Sequence, residues 1–363
     1  MRWGENGRKV CNRPRRGDGG VSETNAPAVS IWTDVRPEPG EVDGRRRYAE
    51  LLEEVRLADG RGFRAFCTTE QHGVDDGYLP AQLTLIAGLA TATTRIRFMT
   101  NALLILLYPW RQVVEQAIVA DLLSKGRLAL GVAAGGYARE FELFGVDMKK
   151  RGELMEKGLP FIRMGLSEGV LPDGPKGSLL PVLPRPAQPH IPIYLGGLVR
   201  AVIDRAVRLT DGIIPVDFFA PDEAFPKLWE TKLAPALQQH GRSLDDFRFT
   251  ICVPLWASDD PERDWEVFYR QALEYQFGKY TEWAGDRSKV GVQSDSDTPW
   301  KREGMLIDTP ENIARRLRAM QARAPYHEVV FWYRIPLIGH KRALEHLEFV
   351  ADRVIPLLNR ADE

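Results

Sequence analysis

Short apolar runs alternate along this chain with longer segments in which apolar residues recur every three or four positions. The short runs predict strands that are buried on both faces, as in a parallel sheet. The longer segments predict amphipathic helices. The predicted strands are Val29–Thr33, Phe63–Thr68, Ile96–Asn101, Leu128–Ala133, Ile191–Gly196, Gly212–Val216, Arg248–Ala257 and Glu328–Tyr333.

Eight strands, each followed by a helix, are the elements of a (β/α)8 barrel. We therefore predict an α/β fold, a TIM barrel formed by residues 28–363 as a single domain. A doubly wound sheet is the alternative architecture, because one sequence does not reveal barrel closure. Residues 1–27 are rich in Arg, Gly and Asn and lack an apolar core, which predicts a disordered tail rather than a secretory signal. A dispensable extension or an over-long translation start explains this tail better than a targeting role.

Two long segments interrupt the alternation. Residues 169–190 are rich in proline and glycine and are predicted to be largely loop. Residues 280–304 mix charged residues with serine and proline. Long loops in a compact barrel often contribute to binding sites. We therefore consider two roles for the second insertion, contact with the active site and a passive surface loop.

Composition and charge narrow the function classes. The chain of 363 residues has a formal net charge of −1, so no overall field attracts nucleic acid or an anionic membrane. Its most apolar run, Ala102–Tyr108, is far too short to span a bilayer. The cysteines Cys11, Cys67 and Cys252 are odd in number and show no metal-ligand spacing, and the six histidines form no HExxH motif. These features predict a cytoplasmic protein without a metal site, a nucleic-acid partner or a membrane partner.

The active site of a barrel lies at the carboxyl ends of its strands. The residues there are mostly apolar and aromatic, with no facing carboxylates, no Cys/His dyad and no GxSxG motif. A bound cofactor is therefore expected to supply the reactive chemistry. Gly135 and Gly136 let the backbone approach a ligand, and the helix that follows them favours an anion.

Several motifs, taken in order, resemble the bacterial luciferase-like family of flavin-dependent monooxygenases. They are Glu70-Gln71-His72, Thr94-Arg95-Ile96, Ser124–Tyr137, Pro184–Ile193 and Thr309-Pro310-Glu311. The resemblance covers roughly Val29–Gly212 and continues more weakly to Pro356. No single motif is specific, but their order and spacing together identify the family.

The resemblance implies a monooxygenase that uses reduced FMN and dioxygen to oxygenate a small, fairly apolar organic substrate. The absence of a GxGxxG motif fits a reduced flavin supplied by a separate flavin reductase, and a homodimer remains open. The pocket should be dry and apolar, because water decomposes reactive flavin species. The implied cofactor-binding residues are Thr100, Asn101, Ala134, Gly135, Gly136, Tyr137, Arg151, Gly196, Gly197 and Leu198.

The implied catalytic residues are His72 and Gln71. Histidine exchanges protons near neutral pH, whereas Gln71 cannot and stands where the family often has its acting histidine. Arg151 is the side chain best suited to the flavin phosphate. Ala134 replaces an arginine of some relatives, and Leu198-Val199 replace a polar pair. Phosphate binding is therefore predicted to rely on backbone amides near Gly196-Gly197 and on the helix that begins at Leu198.

Two alternative functions remain open. Gly135-Gly136-Tyr137, followed by Glu140-Phe141 and Phe144–Asp147, also resembles the branch of this superfamily that uses a deazaflavin coenzyme. Such an enzyme would transfer hydride without dioxygen. The second alternative is a non-catalytic flavin-binding barrel subunit, which Gln71 favours.

Overall fold

The computed structural model describes residues 26–41, 43–174, 177–284 and 302–360. Its strands alternate with helices along the chain, as the apolar pattern predicts. The strands are β1 Ala28–Thr33, β2 Ala65–Thr68, β3 Arg97–Leu104, β4 Leu128–Ala133, β5 Val170–Pro172, β6 Leu179–Pro181, β7 Ile193–Leu195, β8 Gly212–Ile213, β9 Arg248–Ala257, β10 Leu306–Asp308 and β11 Glu328–Arg334.

Eight of these strands form a closed parallel barrel in the order β9, β11, β1, β2, β3, β4, β7 and β8. The barrel closes because Gly212 and Ile213 of β8 pair with Arg248 and Phe249 of β9. This closure confirms the predicted TIM barrel and excludes the doubly wound sheet, in which two edge strands stay unpaired. The additional strand β10 pairs with the carboxyl-terminal part of β9.

The helices surround the barrel. They are α1 Arg45–Gly60, α2 Gln82–Thr91, α3 Trp110–Leu123, α4 Ala138–Leu143, α5 Arg151–Arg163, α6 Arg200–Leu209, α7 Pro221–Leu228, α8 Ala234–Gln239, α9 Pro261–Asp264, α10 Arg270–Ala284, α11 Pro310–Arg323, α12 His340–Phe349 and α13 Ile355–Asn359. One-turn π-helical segments at Met164–Glu168, Trp229–Leu233, Trp265–Tyr269 and Val350–Val354 extend or join several of them. Among the described residues, no helix is long and apolar enough to cross a membrane.

The structure adds detail to both insertions. The first, predicted to be largely loop, also contains a short antiparallel hairpin, β5 with β6, that the sequence did not predict. The buried Asp121 then holds the proline-rich stretch before β7, because its carboxylate accepts hydrogen bonds from the backbone and side-chain amides of Gln188. The second insertion begins as the last turn of α10, and residues 285–301 lie outside the described part of the chain, as do residues 1–25 of the predicted tail.

Two family-like motifs hold the amino-terminal end of the barrel together. The carboxylate of Asp59 accepts hydrogen bonds from the backbone amides of Thr94–Ile96. The guanidinium of Arg127 donates to the carbonyl oxygens of Ala90, Thr93 and Ile96. Because this end lies opposite the carboxyl ends of the strands, these motifs stabilise the fold and do not form the site.

Strands β3 and β4 approach each other closely just below the carboxyl end of the barrel. A β-carbon at Gly131 would lie 2.1 Å from the carbonyl oxygen of Thr100, so only glycine fits there. The hydroxyl of Thr100 donates to the carbonyl oxygen of Gly131 across the same gap. The glycine therefore fixes the spacing of the two strands that lead into the site.

Candidate active site

A cavity of about 230 Å³ lies at the carboxyl ends of β2, β3 and β4. Small or apolar residues of β3, β4 and the following loop form one wall, and polar residues after β2 form another. The lining residues are Thr69, Glu70, Gln71, Tyr78, Ala102, Leu104, Ala133, Gly135, Gly136, Tyr137, Glu140 and Tyr280. An apolar wall with a few convergent polar groups is typical of a site for a small molecule or cofactor.

The glycine pair shapes the apolar wall. Gly135 has a φ of +86°, and a β-carbon there would lie 3.3 Å from the ring of Phe141. A side chain at this position would therefore be strained in its backbone and crowded by its neighbour. Among the described residues other than its two chain neighbours, none has an atom within 4 Å of the position that a β-carbon would take on Gly136. The backbone at Gly136 consequently leaves room for a ligand.

The polar wall is organised around Glu70. One carboxylate oxygen accepts from the backbone amide of Leu104 at 2.7 Å, and the other accepts from the hydroxyl of Tyr108 at 3.1 Å. The oxygen of Tyr108 also lies 3.2 Å from Nε2 of His72. Since the single hydroxyl proton of Tyr108 goes to Glu70, His72 is the donor in this second bond. A continuous chain of hydrogen bonds therefore joins His72 to a residue that lines the cavity.

Glu140 is a buried acid in the first turn of α4, and the sequence prediction did not include it. Its side chain is 1% exposed. Oε1 accepts from the backbone amide of His72 at 3.0 Å, while Oε2 is buried without a hydrogen-bond partner among the described residues. Burial raises the pKa of Glu140 to about 7, although His72 favours the ionised form. The sequence signal for it was the pair Glu140-Phe141 in the motif that resembles the deazaflavin-dependent branch.

Helix α10 covers the mouth of the cavity. Tyr280 lines the cavity, and its hydroxyl lies 3.3 Å from the hydroxyl of Tyr78. The ring of Trp283 lies 5.9 Å from the ring of Tyr78 and 6.3 Å from the ring of Tyr137. The described beginning of the second insertion therefore contacts the site, which is one of the two roles that the sequence left open.

A buried guanidinium lies between the end of β1 and α10. Arg36, which follows β1, pairs with Asp34 at 3.0 Å and with Asp76 at 2.7 Å. Gln276 of α10 donates to the same carboxylate of Asp34 at 2.9 Å. The Arg36 guanidinium also faces the rings of Tyr78, Tyr280 and Trp283, at 5.1, 6.0 and 5.6 Å from their centroids. Sequence reasoning missed Arg36, because only the fold brings α10 to the end of β1.

The structure brings part of the predicted set together. Gln71, Gly135, Gly136 and Tyr137 line the cavity. His72 lies one residue beyond its wall, with its ring against Tyr108 and Phe144. Ala134 is half-buried and packs against the core, and its neighbour Ala133 lines the cavity instead.

Thr100 and Asn101 lie below the cavity. Both are buried, and the side-chain amide of Asn101 donates to the sulfur of Cys252 at 3.4 Å, inside the barrel. The peptide bond from Asn101 to Ala102 is cis, and Ala102 is one of the two β3 residues that line the cavity. These two predicted residues are thus placed to hold the cavity floor.

The predicted phosphate-binding residues lie beside the cavity rather than in its wall. Gly196 follows β7 and donates its amide to Val132 of β4 at 2.9 Å, so the two strand ends are adjacent. Helix α6 begins shortly after Gly197 and Leu198 and has no side-chain cap. Lys232 reaches the carbonyl oxygen of Leu198 at 2.9 Å. An uncapped helix start next to a lysine is suited to an anion.

Arg151 is exposed at the start of α5, and its guanidinium contacts the carbonyl oxygen of Met148 at 3.3 Å. The adjacent Gly152 accepts a hydrogen bond from Arg205 of α6 at 3.3 Å. The start of α5 therefore packs against the middle of α6.

A separate group of Glu50, Glu54 and His340 has ligand atoms within 4.8 Å of one another. The guanidiniums of Arg47 and Arg334 both contact Glu54. Two fixed positive charges disfavour a metal cation at this position. We therefore assign the group to a structural ion-pair network between α1, β11 and α12.

The sequence matches a known protein family over most of its length. The model of the luciferase-like monooxygenase family matches residues 28–327. The chain therefore belongs to the luciferase-like monooxygenase family, as its motifs predicted.

The oxygenase component of flavin-dependent trigonelline monooxygenase from Acinetobacter baylyi is 29% identical over 121 residues, 33% of this chain and 34% of that protein. The alkanal monooxygenase alpha chain of Photorhabdus luminescens is 32% identical over 122 residues, 33% of each chain. These alignments span about a third of the length of the curated relatives.

Solved structures resemble the chain over almost its whole length. Monooxygenase RslO1 from Streptomyces bottropensis has a TM-score of 0.72 at 21% identity and covers 91% of this chain and 99% of its own. The oxygenating constituent of 3,6-diketocamphane monooxygenase from Pseudomonas putida, in complex with FMN, has a TM-score of 0.70 at 16% identity, with 91% and 98% covered. An F420-dependent secondary alcohol dehydrogenase also has a TM-score of 0.70, at 14% identity, with 92% and 100% covered. At these identities the likeness shows the fold.

Proposed function

We propose that this protein is a flavin-dependent monooxygenase that uses reduced FMN and dioxygen to oxygenate a small, fairly apolar substrate. The observation that carries the proposal is the cavity at the ends of β2, β3 and β4, whose apolar wall lies beside the strand end that leads to the start of α6, which no side chain caps. Reduced FMN supplies the electrons that activate dioxygen. The named relatives with flavin or FMN in their descriptions support the same cofactor class.

The residues present fit a flavin. Ala102, Leu104 and Gly136 offer a surface against which a flat ring system can lie, and a β-carbon on Gly136 would have no described residue beyond its chain neighbours within 4 Å. The backbone amides that follow Gly196 at the start of α6 would bind the phosphate. Arg151 would add a charge-assisted hydrogen bond to that phosphate.

Aromatic residues would exclude water from the bound flavin. Tyr78, Tyr137 and Tyr280 line the cavity on the side of α10. The cavity of about 230 Å³ is smaller than the range of about 300–1,000 Å³ that is usual for ligand sites. We therefore expect the end of α10, which carries Tyr280 and Trp283, to move outward when the flavin enters.

The polar wall would handle protons. His72 connects to the cavity through Tyr108 and Glu70, so a proton can pass along this chain of hydrogen bonds. Gln71 lines the cavity and can orient a ligand with its amide, but it cannot exchange a proton. This division gives His72 the proton-exchanging role and Gln71 a positioning role.

A separate reductase and a reducing compartment complete the proposal. The Acinetobacter baylyi relative is described as an oxygenase component, which supports a two-component arrangement. Cys67 and Cys252 are buried and unpaired, which suits the cytoplasm. The F420-dependent structural neighbour favours a deazaflavin-dependent hydride transfer as the second candidate.

Anaerobic equilibrium binding tests the cofactor and the phosphate site together. The protein is expected to bind reduced FMN more tightly than the reduced deazaflavin coenzyme. Arg151→Ala should weaken FMN binding about tenfold, because the exposed charge-assisted bond contributes at the lower end of about 1.5–3 kcal/mol. Riboflavin has no phosphate, so its binding should change much less.

The neighbouring Lys149→Ala serves as the matched control, since Lys149 is also exposed but lies outside the proposed contact. If Arg151→Ala weakens FMN and riboflavin equally, Arg151 supports the fold and does not bind the phosphate. Tight binding of the deazaflavin coenzyme without measurable affinity for FMN would replace the proposal with the second candidate.

A further inference from the structure

We propose that Glu140 is a further catalytic residue, which holds a proton at Oε2 and donates it to the molecule bound in the cavity. This inference deepens the proposed function and rests on it, because the proposed function defines the reaction. The geometry of the flavin-free protein identifies Glu140 as the proton donor.

The position of Glu140 separates its two oxygens. The residue lines the cavity and is 1% exposed. Oε1 is held by the backbone amide of His72 at 3.0 Å, whereas Oε2 is buried without a partner among the described residues. A buried oxygen that makes no hydrogen bond costs free energy. A ligand atom that accepts a proton from Oε2 would remove this cost.

The surroundings favour the neutral form of the carboxyl group. The titratable groups that face it are Glu70 and His72 after β2, Tyr108 after β3 and Tyr137 on its own loop. Burial and the negative charge of Glu70 disfavour the carboxylate, whereas the backbone amide and charge of His72 and the side-chain amide of Gln71 favour it. Burial has the largest effect and raises the pKa of Glu140 to about 7. An acid with such a pKa can donate and regain a proton near neutral pH.

The proton transfer is balanced within the site. The O–H bond at Oε2 breaks, and its electron pair stays on the carboxylate. The proton forms a new bond to an oxygen or nitrogen atom of the bound molecule. The resulting carboxylate keeps the bond from the His72 amide at Oε1, and solvent returns the proton when the cavity opens. Glu140 thereby supplies in this chain the proton exchange that Gln71 cannot.

The first test observes the proton in the flavin-free protein. Selective 13C labelling of the glutamate side-chain carboxyl carbons keeps the signal of Asp34 out of the spectrum. This matters because burial also raises the pKa of Asp34. We expect one glutamate signal to titrate near pH 7, to disappear in E140Q and to persist in E142Q. Glu142 lies on the same helix but is exposed, so it is the matched control. If every glutamate is already ionised at pH 6, or if the signal persists in E140Q, the proposal is overturned.

The second test measures turnover with reduced FMN and dioxygen. E140Q keeps the acceptor for the His72 amide, so FMN affinity should stay within about twofold, while turnover falls by on the order of 10²-fold. E142Q should match the wild type. Unchanged turnover in E140Q would overturn the catalytic role.

If E140Q does not fold, E140D removes the same labelled signal and gives the assignment. A wild type that turns over no substrate contradicts the proposed function, whereas the titration alone still decides whether Glu140 holds the proton.

Discussion

Glu54→Ala is expected to lower the free energy of unfolding by about 3–5 kcal/mol, the usual cost of breaking a buried ion pair. Glu54 is fully buried in α1, where its carboxylate contacts Arg47 at 3.1 Å and His340 at 3.0 Å. It also accepts hydrogen bonds from Tyr333 and Arg334 of β11. Its removal leaves two buried guanidiniums without this carboxylate. Chemical denaturation monitored by circular dichroism measures the loss.

Glu53→Ala is the matched control. Its side chain is 65% exposed, and its carboxylate lies 2.9 Å from Nε2 of His340, the ring nitrogen that Glu54 does not contact. An exposed ion pair contributes at most about 1 kcal/mol, so this variant should remain close to the wild type. Equal stabilities of the two variants would show that the buried network does not hold α1 against β11.

The same network predicts acid sensitivity. Burial alone would raise the pKa of Glu54, but Arg47, His340 and Arg334 together lower it from 4.5 to about 2. A carboxylate with a lowered pKa in the folded state stabilises the fold above the unfolded-state value. This contribution is therefore present above about pH 4.5 and is lost as the pH falls towards 2. In Glu54→Ala, stability should depend less on pH in this window.

His72→Ala is expected to reduce turnover by on the order of 10²-fold, the usual contribution of a proton-exchanging residue. Flavin affinity should change little, because the His72 ring contacts Tyr108 and Phe144 and does not line the cavity. Steady-state kinetics and flavin titration separate the two effects, and circular dichroism confirms folding.

His72→Gln distinguishes proton exchange from positioning. A glutamine can donate to Tyr108 as His72 does at 3.2 Å, but it cannot take up and release a proton near neutral pH. We expect His72→Gln to be as slow as His72→Ala. Recovery of turnover in His72→Gln would show that the residue only positions Tyr108, and unchanged turnover in both variants would exclude a role in the reaction.

Local sequence signals determined most of the fold. Buried parallel strands leave continuous apolar runs, and Leu128–Ala133 was placed within the same bounds that the structure gives β4. The short strands β5 and β6 were missed, because proline and glycine in residues 169–190 conceal a hairpin of three residues on each side. β10 was missed for a related reason, since a strand of three residues is too short to show a pattern of apolar and polar positions.

The site was only partly predictable. The rule that the active site of a barrel lies at the carboxyl ends of its strands places the backbone of the site and not its side chains. It selected Gly135 and Gly136, which line the cavity. It also selected Thr100 and Asn101, whose side chains are bonded inside the barrel. The missed residues depend on tertiary contacts. Glu140 matters because His72 and the cavity surround it, and Tyr280 matters because α10 folds over the mouth.

Dioxygen uptake by the protein with reduced FMN tests the proposed monooxygenase function most directly. The measurement supplies FMN through an added reductase, offers small apolar aldehydes and ketones, and follows 18O from labelled dioxygen into product by mass spectrometry. We expect dioxygen consumption that depends on the protein and one labelled oxygen atom in the product. Reoxidation of FMN at the rate of the free flavin, with no label in any product and with hydride transfer to the deazaflavin coenzyme, would contradict the proposed function.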